Sequence, residues 1–244
     1  MKIAIFPSTE LLSHEAALYV VRVANESIVA RGRFTFALSG GNTPKRLYSL
    51  LGSEPYLGRI DWTLAEIFWS DERCVPPESE ESNFRMAQEV FLGKIPIPPS
   101  QVHRMPADAA DRDAAAYNYI EEMQRVFGTS AVPSFDLIQL GMGPEGHTAS
   151  LFPHQASLRE QSRLVVPVTV PKPPPPRLTF TPPVLNAAAH VLFLVTGADK
   201  ADAMHAVLEG PPQADEYPAQ LVRPARGEVV WMLDEAAASK LDKK

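Results

Sequence analysis

Short apolar runs of strand length, alternating with stretches at helical spacing, constrain this chain more than anything else in it. Lys2–Phe6, Phe34–Leu38, Leu64–Trp69, Leu137–Leu140, Leu164–Val168, Val191–Val195 and Val229–Leu233 are such runs, most of them bounded by Gly, Pro, Ser or Asp. Between the first two, Ser8 or Thr9 can cap a helix. Ala16, Val20, Val23, Ala24 and Ile28 then share one face, and Gly32 is a plausible stop. Further helices are expected at Lys45–Leu51, from Ser82-Asn83 through Phe91, over Met105–Phe127 with a cap near Asp108, at Pro182–Ala188, and after Lys200 to Leu208. Pro218–Val222 reads as a helical turn, and Asp234 as the cap of a C-terminal helix. Strand–helix alternation of this kind predicts a doubly wound α/β fold: a mostly parallel sheet with helices on both faces, three layers in the Rossmann-like manner. There is no internal repeat, composition break or linker, so one domain over residues 1–244 is expected.

In a parallel sheet all carboxyl ends lie at one edge, where ligands bind. The residues that follow these runs are therefore informative. Phe34–Leu38 leads into Ser39-Gly40-Gly41-Asn42-Thr43-Pro44, with Thr43 a good N-cap and Pro44 suited to the first helical position. Glycines at a helix start expose backbone N–H groups that can hold a phosphate or carboxylate; an ordinary strand-to-helix loop fits equally well. The Gly-Lys-Ser/Thr ending of a nucleotide P-loop is missing. Leu64–Trp69 ends in Ser70-Asp71-Glu72-Arg73-Cys74, charges that suit a site, or else a solvated loop with an Asp–Arg pair. Val191–Val195 ends in Thr196-Gly197-Ala198-Asp199-Lys200. A lysine in the first helical turn opposes the dipole, which points to a nearby anion unless the side chain reaches solvent.

Leu137–Leu140 is followed by Gly141, Gly143, Pro144, Glu145, Gly146 and His147, and then by Thr148–Leu151, which can start a helix. The glycines fit G-x-G-x-x-G. Against a dinucleotide site, Pro144 stiffens the turn and Leu164–Val168 ends without an acidic residue for a ribose. A lone histidine is commonly structural. This one has a glycine turn before it and Glu145 two residues away, and an imidazole can take and return a proton near neutrality. Lys172-Pro173-Pro174-Pro175-Pro176-Arg177 reads as a stiff loop delivering Arg177 and the short strand Leu178–Phe180, rather than as a polyproline ligand.

Composition excludes several classes. A net charge of -6 gives no general attraction to nucleic acid or anionic lipid. The single cysteine, Cys74, allows no intrachain disulfide, suits a reducing compartment and reads as packing rather than nucleophile. No signal peptide or membrane-spanning run is visible, so a cytoplasmic protein is expected. None of the six histidines makes a close pair with recognised metal-ligand spacing, and there is no G-x-S-x-G elbow.

ALSGGNTPKRLY at Ala37–Tyr48, WSDERCVP at Trp69–Pro76, Ser82-Asn83, GMGPEGHTASLFP at Gly141–Pro153, PRLTFT at Pro176–Thr181, TGADKA at Thr196–Ala201 and PAQLVRP at Pro218–Pro224 occur in this order. With them the chain closely resembles the bacterial-type 6-phosphogluconolactonases, relatives of the glucosamine-6-phosphate deaminases. The resemblance spans nearly the whole chain. It implies hydrolysis of 6-phospho-D-glucono-1,5-lactone without cofactor or metal. It also implies a phosphate loop at Ser39, Gly40, Gly41, Asn42 and Thr43, and basic partners at Arg73 and Lys200, with Arg177 a weaker candidate and Asp71 beside them. His147 would be the general base, Glu145 its carboxylate, and Gly141, Gly143 and Gly146 the turn that supplies oxyanion donors. One departure stands out: Glu145 stands where the family usually has Asp. The expected partner is the small sugar-phosphate lactone alone, with the chain a monomer or weak homo-oligomer. Isomerase/deaminase chemistry is the nearest rival; that branch usually carries I-A-F-N-E-P after the histidine, where this chain has Thr148-Ala149-Ser150-Leu151-Phe152-Pro153. A non-catalytic sugar-phosphate sensor is the other, and His147 argues against it.

Overall fold

A computed structural model describes residues 1–174 and 176–242. In chain order the strands and α-helices are β1 (Lys2–Phe6), α1 (Thr9–Arg31), β2 (Phe34–Leu38), α2 (Asn42–Leu51), β3 (Ala65–Trp69), β4 (Asp71–Arg73), α3 (Asn83–Val90), α4 (Arg112–Phe127), β5 (Leu137–Leu140), β6 (Val165–Thr169), β7 (Pro176–Phe180), α5 (Pro182–Ala187), β8 (His190–Val195), α6 (Ala201–Leu208) and β9 (Glu228–Asp234). Six strands form one sheet in the order β1-β9-β8-β5-β2-β3, every neighbouring pair parallel. Every residue of β2 and β5 is buried. Successive side chains point to opposite faces, so both faces of the sheet are covered there, which is why these strands read as mostly apolar runs without polar alternation. The expected doubly wound α/β architecture is what the chain adopts. Among the described residues no helix is long and apolar enough to cross a membrane.

A second, three-stranded sheet, β4-β7-β6, is antiparallel, which the alternation of apolar runs did not foretell. Its origin is local. At Ser70 the chain leaves the main sheet: the Ser70 N–H still donates to Leu38 O at 2.8 Å, while Ser70 O accepts from Phe180 N at 2.7 Å. β4 thus continues β3 but pairs with β7, placing Asp71 opposite Thr179 and Arg73 opposite Arg177.

Several expected elements differ. The helix expected over Met105–Phe127 begins only at Arg112, capped by Asp111, whose side chain accepts from Ala114 N at 3.0 Å. Asp108 is instead held by Arg104 at 2.7 Å, within a turn closed by Ala109 N on Pro106 O. Thr43 is not a cap; α2 starts at Asn42, two residues before the expected first position Pro44, behind Gly41 at φ 110°. Thr148–Leu151 forms no helix but a tight bridge between those two residues, with Ala149 at φ 47°, a left-handed position that a helix excludes. After β9, Asp234 does accept from Ala237 N at 2.7 Å like a cap, but the segment continues as turns.

Candidate active site

The carboxyl ends of β2, β3 and β5 meet around a cavity of about 210 Å³ lined by Ser39, Gly40, Gly41, Asp71, Arg73, Asn83, Gly141, Met142, Gly143, His147, Ala149 and Arg177. It is small for a drug-sized molecule, whose sites run to roughly 300–1,000 Å³, and polar enough for a compact charged ligand.

Ser39 is fixed from below. Its hydroxyl donates to Gln139 Oε1 at 2.7 Å, its N–H donates to Tyr48 Oη at 2.9 Å, and Tyr48 Oη reaches the same Gln139 oxygen at 2.6 Å. A glutamine in the middle of a buried apolar strand needs such partners, and it ties β5 to the loop after β2 and to Tyr48 of α2. Gly40 must lack a side chain: a Cβ there would lie 1.9 Å from Asn83 Oδ1. Asn83 in turn donates to Asp71 O at 2.9 Å, and Ser150 Oγ donates to Asp71 Oδ2 at 2.7 Å.

The three charges of Asp71-Glu72-Arg73 divide their tasks. Glu72 is buried and structural: its carboxylate accepts from Arg73 N, Asn83 N, Phe84 N and Ser82 Oγ at 2.7–3.1 Å, capping the start of α3. Burial pushes its carboxyl above the ordinary range, against the pull of these N–H donors. Arg73 and Arg177 face each other across β4 and β7. Like charges directly opposite are unfavourable. Arg177 is 6% exposed, and burial draws its guanidinium below the usual value. Its hydrogen bonds to Pro174 O and Pro173 O are long, 3.3 and 3.4 Å. Arg73 Nη1 donates to Glu81 O at 2.6 Å, but its buried Nε has no partner among the described residues. Two close cations with an unsatisfied donor between sheet and cavity form a ready anion site.

His147 stands across the cavity. Its ring stacks on Phe152 at 4.0 Å with 13° between planes. Nδ1 is buried and lies 3.2 Å from Glu145 Oε1, a close charge contact whose direction falls outside a well-formed hydrogen bond. The nitrogen left for the cavity is Nε2. Burial raises the Glu145 carboxyl, but contacts with His147 and Lys172 outweigh it and hold it at about 2. Its share of stability is thus full above roughly 4.3, the ordinary glutamate value, and is lost as pH falls through that depressed value. Gly143 makes room for the ring: a Cβ there would sit 2.1 Å from His147 Nδ1 and Cε1. Gly143→Ala should therefore displace the imidazole and lower kcat by roughly 10² in a protein that still melts cooperatively. Parental kinetics in that variant, beside a normal circular-dichroism melt, would refute this packing.

The sequence-predicted residues distribute as follows. Ser39, Gly40, Gly41, Asp71, Arg73, Gly141, Gly143, His147 and Arg177 come together at the cavity, and Glu145 stands behind His147. Asn42 lines an adjoining cleft with Lys45 and Arg85. Thr43 turns its hydroxyl to Thr196 at 2.8 Å. Lys200 lies outside the cavity lining, its ammonium on Asp199, so Arg177 rather than Lys200 is the cation facing Arg73. The expected oxyanion donors are reduced: Gly143 N donates to His147 O and Gly146 N to Gly143 O, both at 2.9 Å, closing the turn on itself. Gly146, at φ 78°, packs under Tyr217. Asn83, Gln139, Phe152 and Lys172 were not read as site residues. Gln139 could have been, as a polar residue inside an apolar run. Among the described residues no group of three or more His, Cys, Asp and Glu is placed to hold a metal ion.

Known proteins are similar in sequence and share this fold. A family model described as glucosamine-6-phosphate isomerases/6-phosphogluconolactonase matches residues 7–231. A probable 6-phosphogluconolactonase 2 of Oryza sativa subsp. indica is 41% identical over 256 aligned positions, covering 99% of this chain and 90% of that one. A 6-phosphogluconolactonase of Synechocystis sp. is 40% identical, with 95% of each chain covered. The solved structure of 6-phosphogluconolactonase from Trypanosoma cruzi superimposes with a TM-score of 0.88 at 30% identity, covering 99% of this chain and 97% of that one.

Proposed function

Because the chain belongs to the family of glucosamine-6-phosphate isomerases and 6-phosphogluconolactonases, we propose that His147 is the general base of a lactone hydrolase whose substrate is anchored by Arg73 and Arg177. The chain is an enzyme of the 6-phosphogluconolactonase type, hydrolysing 6-phospho-D-glucono-1,5-lactone to 6-phosphogluconate. One observation supports the site assignment: a histidine backed by a carboxylate and a pair of opposed arginines line the same small cavity.

The mechanism follows from the ester. A lactone carbonyl is already electrophilic, so water and a base suffice. His147 Nε2 takes a proton from water as the oxygen attacks C1, and the imidazolium returns it to the ring oxygen as the C1–O bond breaks. Glu145, ionised throughout, stabilises the imidazolium. Arg73 and Arg177 hold the phosphate, remote from C1, and its binding energy positions the ring. Ser39 and Asn83 line the same cavity and suit the sugar hydroxyls. In this reading residues 1–244 act as one unit in the cytoplasm, as a monomer or weak homo-oligomer. No metal, cofactor or nucleic acid takes part.

The test compares lactones with and without the 6-phosphate, after subtraction of the buffer rate. Removing the phosphate should lower kcat/KM by roughly 10² or more, the worth of two charge-assisted contacts. Equal rates would sink the anchoring role, and ammonia release from an amino sugar phosphate would move the chain to the deaminase branch.

A further inference from the structure

The loop before β7 carries a side chain that the reaction as described does not use. Lys172 Nζ lies 2.9 Å from Glu145 Oε1 and 3.1 Å from Oε2, so one ammonium grips both oxygens of the carboxylate that backs His147. The same ammonium is 5.9 Å from the centroid of Phe152, the ring on which His147 stacks, and Arg177 Cζ is at the same distance from that ring. The carbonyls of Pro173 and Pro174, next along the loop, accept from Arg177. One short proline-rich segment therefore touches both the acid–base pair and the anion site.

We propose that Lys172 is a positioning residue: it holds Glu145 in place behind His147, and its loop ties that pair to Arg177. The inference rests on the reading of His147 as base. It does not make Lys172 a substrate ligand, because its ammonium faces both oxygens of Glu145 and it is not among the residues lining the cavity. Stiffness suits the role. Prolines fix φ, so the loop loses little entropy in holding a long lysine to one address. The charged groups around Glu145 are His147 and Lys172, with the Asp199–Lys200 pair beyond.

The sign of the pH effect separates this role from a merely structural one. Lys172 offsets the negative charge of Glu145. Without it, that charge acts undiluted on the imidazole, favours the protonated ring, and moves the acid limb of kcat/KM to higher pH. Removing the carboxylate does the opposite. Lys172→Met should lower kcat by roughly 10-fold, the worth of one displaced charge contact, with KM for the lactone and Kd for 6-phosphogluconate within about twofold. Its acid limb should move up, that of Glu145→Gln down, and Lys172→Arg should recover most of the rate. In a Glu145→Gln background, Lys172→Met should cost nothing further. Parental kinetics, a loss confined to KM, or a full extra loss in the double variant would each overturn the proposal. If His147→Gln is inactive while Lys172→Met is unchanged, this inference alone falls. If His147→Gln keeps the parental rate, the reading beneath it falls and takes this one with it.

Discussion

Replacing His147 with Gln lowers kcat by roughly 10²–10⁴, with the fold and the affinity for 6-phosphogluconate retained. Glutamine keeps a polar group of similar reach but cannot take a proton. Phe152 would still offer a flat surface for the amide, and Gly143 would still leave it room. The loss belongs in kcat because the base acts only as water attacks; a rise in KM alone would mean that His147 binds rather than reacts. Glu145 grades the effect. Glu145→Asp, which restores the family's usual residue, should keep most of the activity, whereas Glu145→Ala should lose substantially more. The carboxylate is pinned by Lys172 as well as by His147, so its effect is expected to persist through the acid range, where it stays ionised.

The second large effect has opposite signs in binding and in stability. Arg177→Met should weaken 6-phosphogluconate by about 1.5–3 kcal/mol, the loss of a charge-assisted contact, and Arg73→Ala by a similar amount. Yet Arg177→Met should raise the melting temperature of the ligand-free protein. It removes a cation that is buried, opposite another cation and whose hydrogen bonds among the described residues are two long ones, so that chiefly the attraction of Asp71 and the Phe152 face offsets its burial. Such a trade of stability for affinity is expected of a site built to hold an anion. A variant that both melts lower and binds as tightly as the parent would refute the assignment. Lys200→Ala should change the affinity much less, since Asp199 already holds that ammonium.

Much of this was legible in the sequence, and the reasons are particular. The mostly apolar runs at Phe34–Leu38 and Leu137–Leu140 announce strands covered on both faces, and parallel order then brings their carboxyl ends to one edge. The glycine turn before His147 announces a special backbone, and in the structure Gly143 is the position that leaves room for the imidazole. What stayed hidden depends on pairing rather than pattern. Asp71–Arg73 is too short to declare itself a strand, so its antiparallel union with Pro176–Phe180 could not be read, nor the meeting of Arg73 with Arg177. The same blindness ranks Lys200 above Arg177 as the partner of Arg73. Its neighbour in sequence, Asp199, turned out to be its partner in space. Glu72 reads in the sequence as one more site charge; its capping of α3 from ten residues upstream leaves no periodic trace. Thr148–Leu151 has good helical composition, but the bridge between its ends and the left-handed Ala149 override it.

A crystal structure of the protein with bound 6-phosphogluconate tests the assignment most directly. The phosphate should lie between the guanidinium groups of Arg73 and Arg177, with Arg73 Nε donating to it. The C1 carboxylate should lie within hydrogen-bond reach of His147 Nε2, with Glu145 still behind the ring. A phosphate seated on Lys200 or Lys45, or a ligand whose C1 end points away from His147, would contradict it.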